Sequence, residues 1–138
     1  MIVDTSAWIE YLRRTESPAN LALRHAVQAG SAIATPAPVV MELLSGCRNE
    51  TEESDLLKLL GRFEILIPDS LGHFQGAARI YRTCRRAGWT IRSSVDCLVA
   101  AAALDARRPL LARNRDFDTI ARLTELELVV PTAPESHA

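Results

Sequence analysis

Five short apolar runs punctuate the chain, and a helical pattern separates each from the next. "MIVD" opens the sequence, "SAIAT" follows at 31–35, "EILIP" at 64–68, "PLLA" at 109–112 and "LELVV" at 126–130. Each run is too short for a helix and too continuously apolar for a strand with one wet face. Strands of this kind are buried on both sides. Between them the spacing predicts helices over "TSAWIEYLRR", over 18–30 with Pro18 in the first turn and Gly30 at the stop, and from Pro36 and Pro38 through "VVMELLSG" to Gly46. Further helices are expected over 51–62, from Asp69 or Ser70 to about Ala87 before Gly88, over 93–108, and over "DTIARL". Strands alternating with helices dictate an α/β fold: a mostly parallel sheet of about five strands, flanked by helices on both faces.

At 138 residues the chain fits one domain over 1–138, with 131–138 expected as a frayed tail. Hydrophobic and charged fractions of 48% and 24% are ordinary for a globular protein. No apolar run reaches the roughly 20 residues of a membrane span, and Asp4 interrupts the apolar start, so neither a membrane helix nor a signal peptide is expected and the chain reads as cytoplasmic. Cys47, Cys84 and Cys97 form no C-x-x-C pair and read as buried free thiols. The histidines, His25, His73 and His137, are scattered and suggest no metal site.

Four acids break the apolar pattern. A carboxylate at the end of a buried strand must cap, pair or bind something, because stripping it of water costs several kcal/mol or more. Asp4 follows the first strand and can serve as a helix N-cap, as can Thr5 or Ser6. Glu42 sits among apolar neighbours in "PVVMELLSG", beside the small residues Ser45 and Gly46, and reads either as a solvent-facing residue or as one that leaves room for a ligand. Asp96 completes a variant capping box in "SSVD", ahead of the helix "CLVAAAAL", which is apolar nearly all round and should be buried. Asp116 follows the fourth strand, with Asp118 as its competitor for a capping role. In a parallel sheet such positions gather at the carboxyl edge, where ligands bind. Clustered carboxylates repel, and a hard cation such as Mg²⁺ or Mn²⁺ relieves the repulsion. Such an ion makes a hydroxide nucleophile and stabilises a phosphoryl transition state.

These segments resemble a known family. "IVDTSAWIEYL" is similar to the opening of the PIN domain in its bacterial VapC toxin branch. "VVMELLSG" resembles the family's glutamate motif, "SSVDCLVAAAAL" its central D-x-x-I-A-A-x-A segment, and "LLARNRDFDTIA" its late N-x-x-D-F segment. The four stand in family order over nearly the whole chain. Two departures occur: Leu98-Val99 where isoleucine is frequent, and a "RNRDF" spacing one residue shorter than in some members. The resemblance implies a three-layer PIN-like fold and a toxin that is a Mg²⁺- or Mn²⁺-dependent endoribonuclease, with a structured RNA such as tRNA as target. It implies Asp4, Glu42, Asp96 and Asp116 as the catalytic acids, the three aspartates among them as metal ligands, and Thr5, Ser6 and Asn114 in support. In-line attack of activated water would leave a 5′-phosphate and a 3′-hydroxyl. It implies two partners besides RNA: a VapB-type antitoxin and a second copy of the chain in a homodimer.

The net charge of −1 conceals a bipolar distribution. Lys58 is the only lysine; "NETEESD" at 49–55 is acidic, while 79–92 holds five arginines and no acid. Arg79, Arg82 and Arg86 share one helix face, and Arg92, Arg113 and Arg115 flank the Asp96 and Asp116 segments. All six are candidate RNA contacts, since arginine binds phosphates and stacks on bases. Alternatively the basic face is solvated or paired with 49–55. Arg85 turns from that face and should pair with an acid. Trp8, Tyr11, Leu12, Leu43 and Leu44 read as core or as a surface for the antitoxin.

Other readings fit less well. A phospho-receiver needs a positioned lysine, and Lys58 sits in a leucine-rich helix; a haloacid-dehalogenase-type phosphatase needs a second Asp where Ser6 stands. No glycine-rich nucleotide fingerprint is present. The non-enzymatic alternative is a catalytically inactive PIN-like module that binds RNA or protein.

Overall fold

The protein is described by a computed structural model over residues 1–130; the expected tail at 131–138 lies outside them. Ile2, Val3, Leu110 and Leu111 are completely buried. They form β1 (Ile2–Val3) and β4 (Leu110–Leu111), parallel neighbours with Ile2 opposite Leu110 and Val3 opposite Leu111. On the other side of β1 lies β2 (Ala34–Pro36), and beyond it β3 (Glu64–Leu66). The sheet is parallel in the order β3-β2-β1-β4.

Seven helices connect and cover these strands: α1 (Thr5–Arg13), α2 (Pro18–Gln28), α3 (Ala37–Ser45), α4 (Glu50–Leu60), α5 (Leu71–Arg86), α6 (Ser94–Ala106) and α7 (Arg115–Leu123). Right-handed crossovers send α1 to α4 over one face and α5 to α7 over the other. The observed packing follows that division, with α1 on α2 and α3, α5 on α6, and α7 on both α5 and α6; α3 and α6 also touch. The result is the expected three-layer arrangement.

Local chemistry explains the boundaries. Ser17 caps α2 through the Asn20 N–H, with Pro18 in the first turn, and Gly30 lies beyond its end at φ +67°. Gly88, at φ +89°, follows α5 in the same way. The alanines of α6 bring it close to its neighbours, and Val99, Ala100 and Ala103 are fully covered. Trp8, also fully buried, donates Nε1–H to Thr35 Oγ1 at 3.2 Å. Trp8→Ala would cost about 3–5 kcal/mol.

Three sequence expectations shift. β3 is not buried on both sides, for Glu64 and Ile65 are exposed at the sheet edge. The fifth strand is reduced to an isolated bridge between Leu110 and Leu128, made by Leu110 N–H to Glu127 O and Val129 N–H to Leu110 O. Glu127 points to solvent there, so the segment pairs at an edge without building a longer ladder. α7 begins at Arg115, three residues before the expected start, because Asn114 caps it. All three cysteines are free thiols; Cys84 and Cys97 are buried, as expected, and Cys47 is half-buried. Burial pushes the Cys97 thiol up to about 12. Among the described residues no helix is long and apolar enough to cross a membrane.

Candidate active site at the carboxyl edge

After β1 the chain moves outward to β2 and β3, then returns to lay β4 on the other side of β1. The switch point between β1 and β4 is where open α/β sheets bind ligands. Asp4 ends β1 there, and Arg113-Asn114 follows β4.

Asp4 is both an N-cap and a buried carboxylate. It is 2% exposed, and its Oδ2 accepts the Ser6 backbone N–H at 3.0 Å and the Ser6 Oγ–H at 2.6 Å. Ser6 Oγ also accepts the Arg113 backbone N–H at 2.8 Å, stitching the end of β4 to the end of β1. Thr5 Oγ1 donates to Glu42 Oε1 at 2.6 Å, bringing α3 to the same edge.

Asp96 enters from α6. Its backbone N–H donates to Ser93 O, and Ser93 Oγ caps through the Val95 N–H, but the Asp96 carboxylate turns away from that box. Oδ2 accepts instead from Asn114 Nδ2–H at 3.2 Å. Asn114 Oδ1 in turn accepts the Asp116 backbone N–H at 3.0 Å and so caps α7. The capping role open to Asp116 or Asp118 therefore belongs to Asn114. The Asp116 carboxylate is left to accept the Arg92 backbone N–H at 3.2 Å, with Arg92 Nε 3.5 Å away.

The four acids act on one another through their charges. Asp96 is pushed up to about 6, first by burial, then by the charge of Asp4, with Asp116 and Glu42 adding to it and the Asn114 hydrogen bond opposing. Asp4 is raised as well, chiefly by burial, against the Ser6 hydrogen bonds and with a contribution from Glu42. Asp118 has no part in this cluster. It is exposed, lines a cavity bordered by Asn114, Arg115, Phe117 and Leu128, and is not among the acids whose charge acts on Asp96.

One regularity runs through all four acids. Each is held through a single oxygen: Asp4 Oδ2 by Ser6, Glu42 Oε1 by Thr5, Asp96 Oδ2 by Asn114 and Asp116 Oδ2 by Arg92. Among the described residues the second oxygen of each has no hydrogen-bond partner. The donor set is all carboxylate, buried or half-buried, and mutually repulsive. By that chemistry it fits a hard divalent cation. No three His, Cys, Asp or Glu side chains among the described residues are already drawn around one point. A cation bound there would need these side chains to move together.

The basic residues divide. Arg92 belongs to the cluster. Arg113 is turned away to Glu10, Nη1 to Oε1 at 2.6 Å, and Arg115 lies beside Asp118. Arg79, Arg82 and Arg86 are exposed on α5. Among the described residues Arg85 does not pair with an acid as expected; it is exposed, with its guanidinium 5.8 Å from the centre of the Tyr81 ring. The long exposed arm finds an aromatic face within one helical turn, and no carboxylate follows it in the sequence before Asp96. The acidic 49–55 stretch does not partner this face; its Glu52 pairs with Arg48. The hold of Arg92 on Asp116 escaped the sequence reading, because a contact across 24 residues has no local signal.

Trp8 is core. Leu12 and Leu43, with Ile9, Leu56 and Leu59, line a groove of about 460 Å³ between α1, α3 and α4 that begins at Glu42. Its charged members are Arg13 against Glu42, Glu52 and Asp55.

Comparison with known proteins bears on the family and the fold. The PIN domain family model matches residues 1–123. Ribonuclease VapC11 of Mycobacterium tuberculosis is 41% identical over 128 residues, covering 92% of this chain and 96% of the relative. Among solved structures, VapBC-1 from nontypeable Haemophilus influenzae aligns with a TM-score of 0.76 at 18% identity, covering 96% of this chain and 98% of that one. A toxin-antitoxin complex from Klebsiella pneumoniae aligns at 0.69 and 19% identity, covering 96% and 98%. The two structures speak to the fold alone.

Proposed function

The chain belongs to the PIN domain family, and from that premise we propose that it is the toxin of a toxin–antitoxin pair, an endoribonuclease that hydrolyses RNA phosphodiesters. The observation that carries the catalytic reading is the set of four carboxylates at the switch point, each fixed through one oxygen and open at the other.

In this reading Asp4, Asp96 and Asp116 hold Mg²⁺ or Mn²⁺. When bound, such an ion would supply an activated water near neutral pH and offset charge on the phosphoryl oxygens. The chain's own residues do the positioning. Asn114 and Ser6 fix the aspartates, and Arg92 holds Asp116 while keeping a positive charge beside an incoming phosphate. Glu42, oriented by Thr5, offers its second oxygen to the proton of the attacking water. No histidine takes part, and a mechanism without 2′-hydroxyl attack needs none.

The apolar, net acidic groove beside Glu42 suits an amphipathic polypeptide segment carrying a basic residue, the kind of segment an antitoxin would lay there. A homodimer is part of the same reading. The inactive-module alternative is not favoured, since all four acids are kept and each has its own positioning partner.

The test is to incubate the purified chain with RNA in Mn²⁺, in Mg²⁺ and in EDTA, and to read the ends formed. Metal-dependent cleavage with 5′-phosphate ends is expected. Cleavage that persists in EDTA, or that leaves cyclic phosphates, would refute the mechanism.

A further inference from the structure

A second groove, of about 710 Å³, runs between α5 and the start of α6. Its floor is Ala77 and Ala78 on α5 with Cys97 and Leu98 on α6. Phe74 stands at one end and Tyr81 about two turns on, about 10 Å along the axis at 1.5 Å per residue. Phe74 is 48% exposed, with the His73 ring edge-on at 5.7 Å between centroids. Arg82, Arg85 and Arg92 line the walls, and no acid lines the groove.

Two relationships give this groove a direction and a chemistry. Arg92 lines it and also touches Asp116, so the groove leads into the acid cluster. Its side chain is 77% exposed and remains open to a second anion. Arg85 already lies over the Tyr81 ring, which sets a planar cation and an aromatic face together. Aromatic faces and guanidinium planes are what unpaired bases stack on, while the guanidinium edges take phosphates. A duplex presents its bases edge-on inside the helix and offers no free face to Phe74 or Tyr81. Charge decides between the two grooves. The one between α1, α3 and α4 carries three acids against one arginine and repels a polyanion; this one carries three arginines and attracts it.

We propose that the α5–α6 groove binds an unpaired stretch of RNA and feeds it to the carboxylates, with Phe74 and Tyr81 as stacking platforms and Arg82, Arg85 and Arg92 as phosphate contacts. This rests on the nuclease reading for its purpose but not for its test.

The experiment measures binding without catalysis. A short labelled single-stranded RNA of mixed sequence is titrated with the chain in EDTA, at several salt concentrations, beside the same RNA annealed to its complement. Phe74→Leu and Tyr81→Leu are each expected to weaken single-strand binding by about tenfold, and Tyr81→Phe to retain it. Arg82→Gln and Arg85→Gln should each lower the slope of log K against log salt by about 0.7. Arg79→Gln, outside the groove, should change affinity less than either. Thermal melts confirm that each variant is folded, and light scattering gives its oligomeric state. No single-strand binding by the wild type, equal binding of the duplex, or groove variants that bind RNA as the wild type does would each overturn the proposal. So would loss of a dimer in Phe74→Leu with RNA affinity intact, which would make the groove a contact between copies. Groove-dependent binding without metal-dependent cleavage would uphold the groove and sink the nuclease reading instead.

Discussion

The Asn114 amide donates to Asp96 Oδ2 at 3.2 Å, tying the residue after β4 to the first turn of α6. The same side chain caps α7 through its other end. One residue therefore sets both the start of a helix and the direction of a buried acid.

These two jobs can be separated. Asn114→Ala should lose the cap, about 1 kcal/mol of stability. Asn114→Ser keeps a capping oxygen but has no amide to offer Asp96. Its melting temperature should stay near that of the wild type while RNA cleavage falls by about tenfold or more, as when the orienting partner of a ligand is removed. Cleavage by Asn114→Ser equal to that of the wild type would show that Asn114 is only a cap.

The raised Asp96 predicts a pH signature for the metal-free protein. The folded chain holds a proton on Asp96 up to about 6, whereas the unfolded chain loses it near 3.8. The folded state binds more protons in that window, so this contribution to stability is full below about 4 and is lost as pH rises through about 6. Asp4 acts in the same direction. Denaturant unfolding in EDTA should show wild type losing stability relative to Asp96→Asn between these pH values. Millimolar Mn²⁺ should restore the wild type alone. A difference that stays flat across the window would contradict the burial and crowding assigned to Asp96.

Ser6 Oγ bridges Asp4 Oδ2 and the Arg113 N–H. Ser6→Ala removes both bonds and leaves the buried Asp4 with the Ser6 backbone N–H as partner. The cost should be about 1–3 kcal/mol, measured by denaturant unfolding. A cost within a few tenths would mean that the β1–β4 edge does not depend on this bridge.

Thr5→Val tests Glu42 through its orienting partner. The change is isosteric and touches only the 2.6 Å bond to Glu42 Oε1. Steady-state kinetics should show kcat reduced with KM little changed, because Glu42 is assigned to the attacking water and not to the RNA. A rise in KM alone would move Glu42 to the binding surface.

Much of this site is legible along the chain. Asp4 and Asp116 are marked by their places just after buried strands, and Asp96 by the all-round apolar helix behind it. What the sequence leaves open is settled by contacts between distant segments. Asp4 could cap or bind, and it caps with one oxygen while keeping the other free. Asp116 and Asp118 are indistinguishable as letters two apart; on α7 they point to different sides, and only Asp116 meets Asp96 and Arg92. Trp8 fits surface or core equally by spacing, until Thr35 on the neighbouring strand receives its N–H. Arg85 was expected to seek an acid, but the ring of Tyr81 lies closer at hand one turn back. The last strand has the composition of its fellows and an edge position that reduces it to a bridge.

The assignment on which the mechanism depends puts Asp4, Asp96 and Asp116 in one metal site, with Asp118 outside it. Its most direct test is calorimetric titration of Mn²⁺ into the wild type and into Asp4→Asn, Asp96→Asn, Asp116→Asn and Asp118→Asn. Saturable binding in the wild type and in Asp118→Asn, weakened or lost in the other three, is the predicted result. No binding in the wild type, or binding as sensitive to Asp118 as to Asp4, would contradict it.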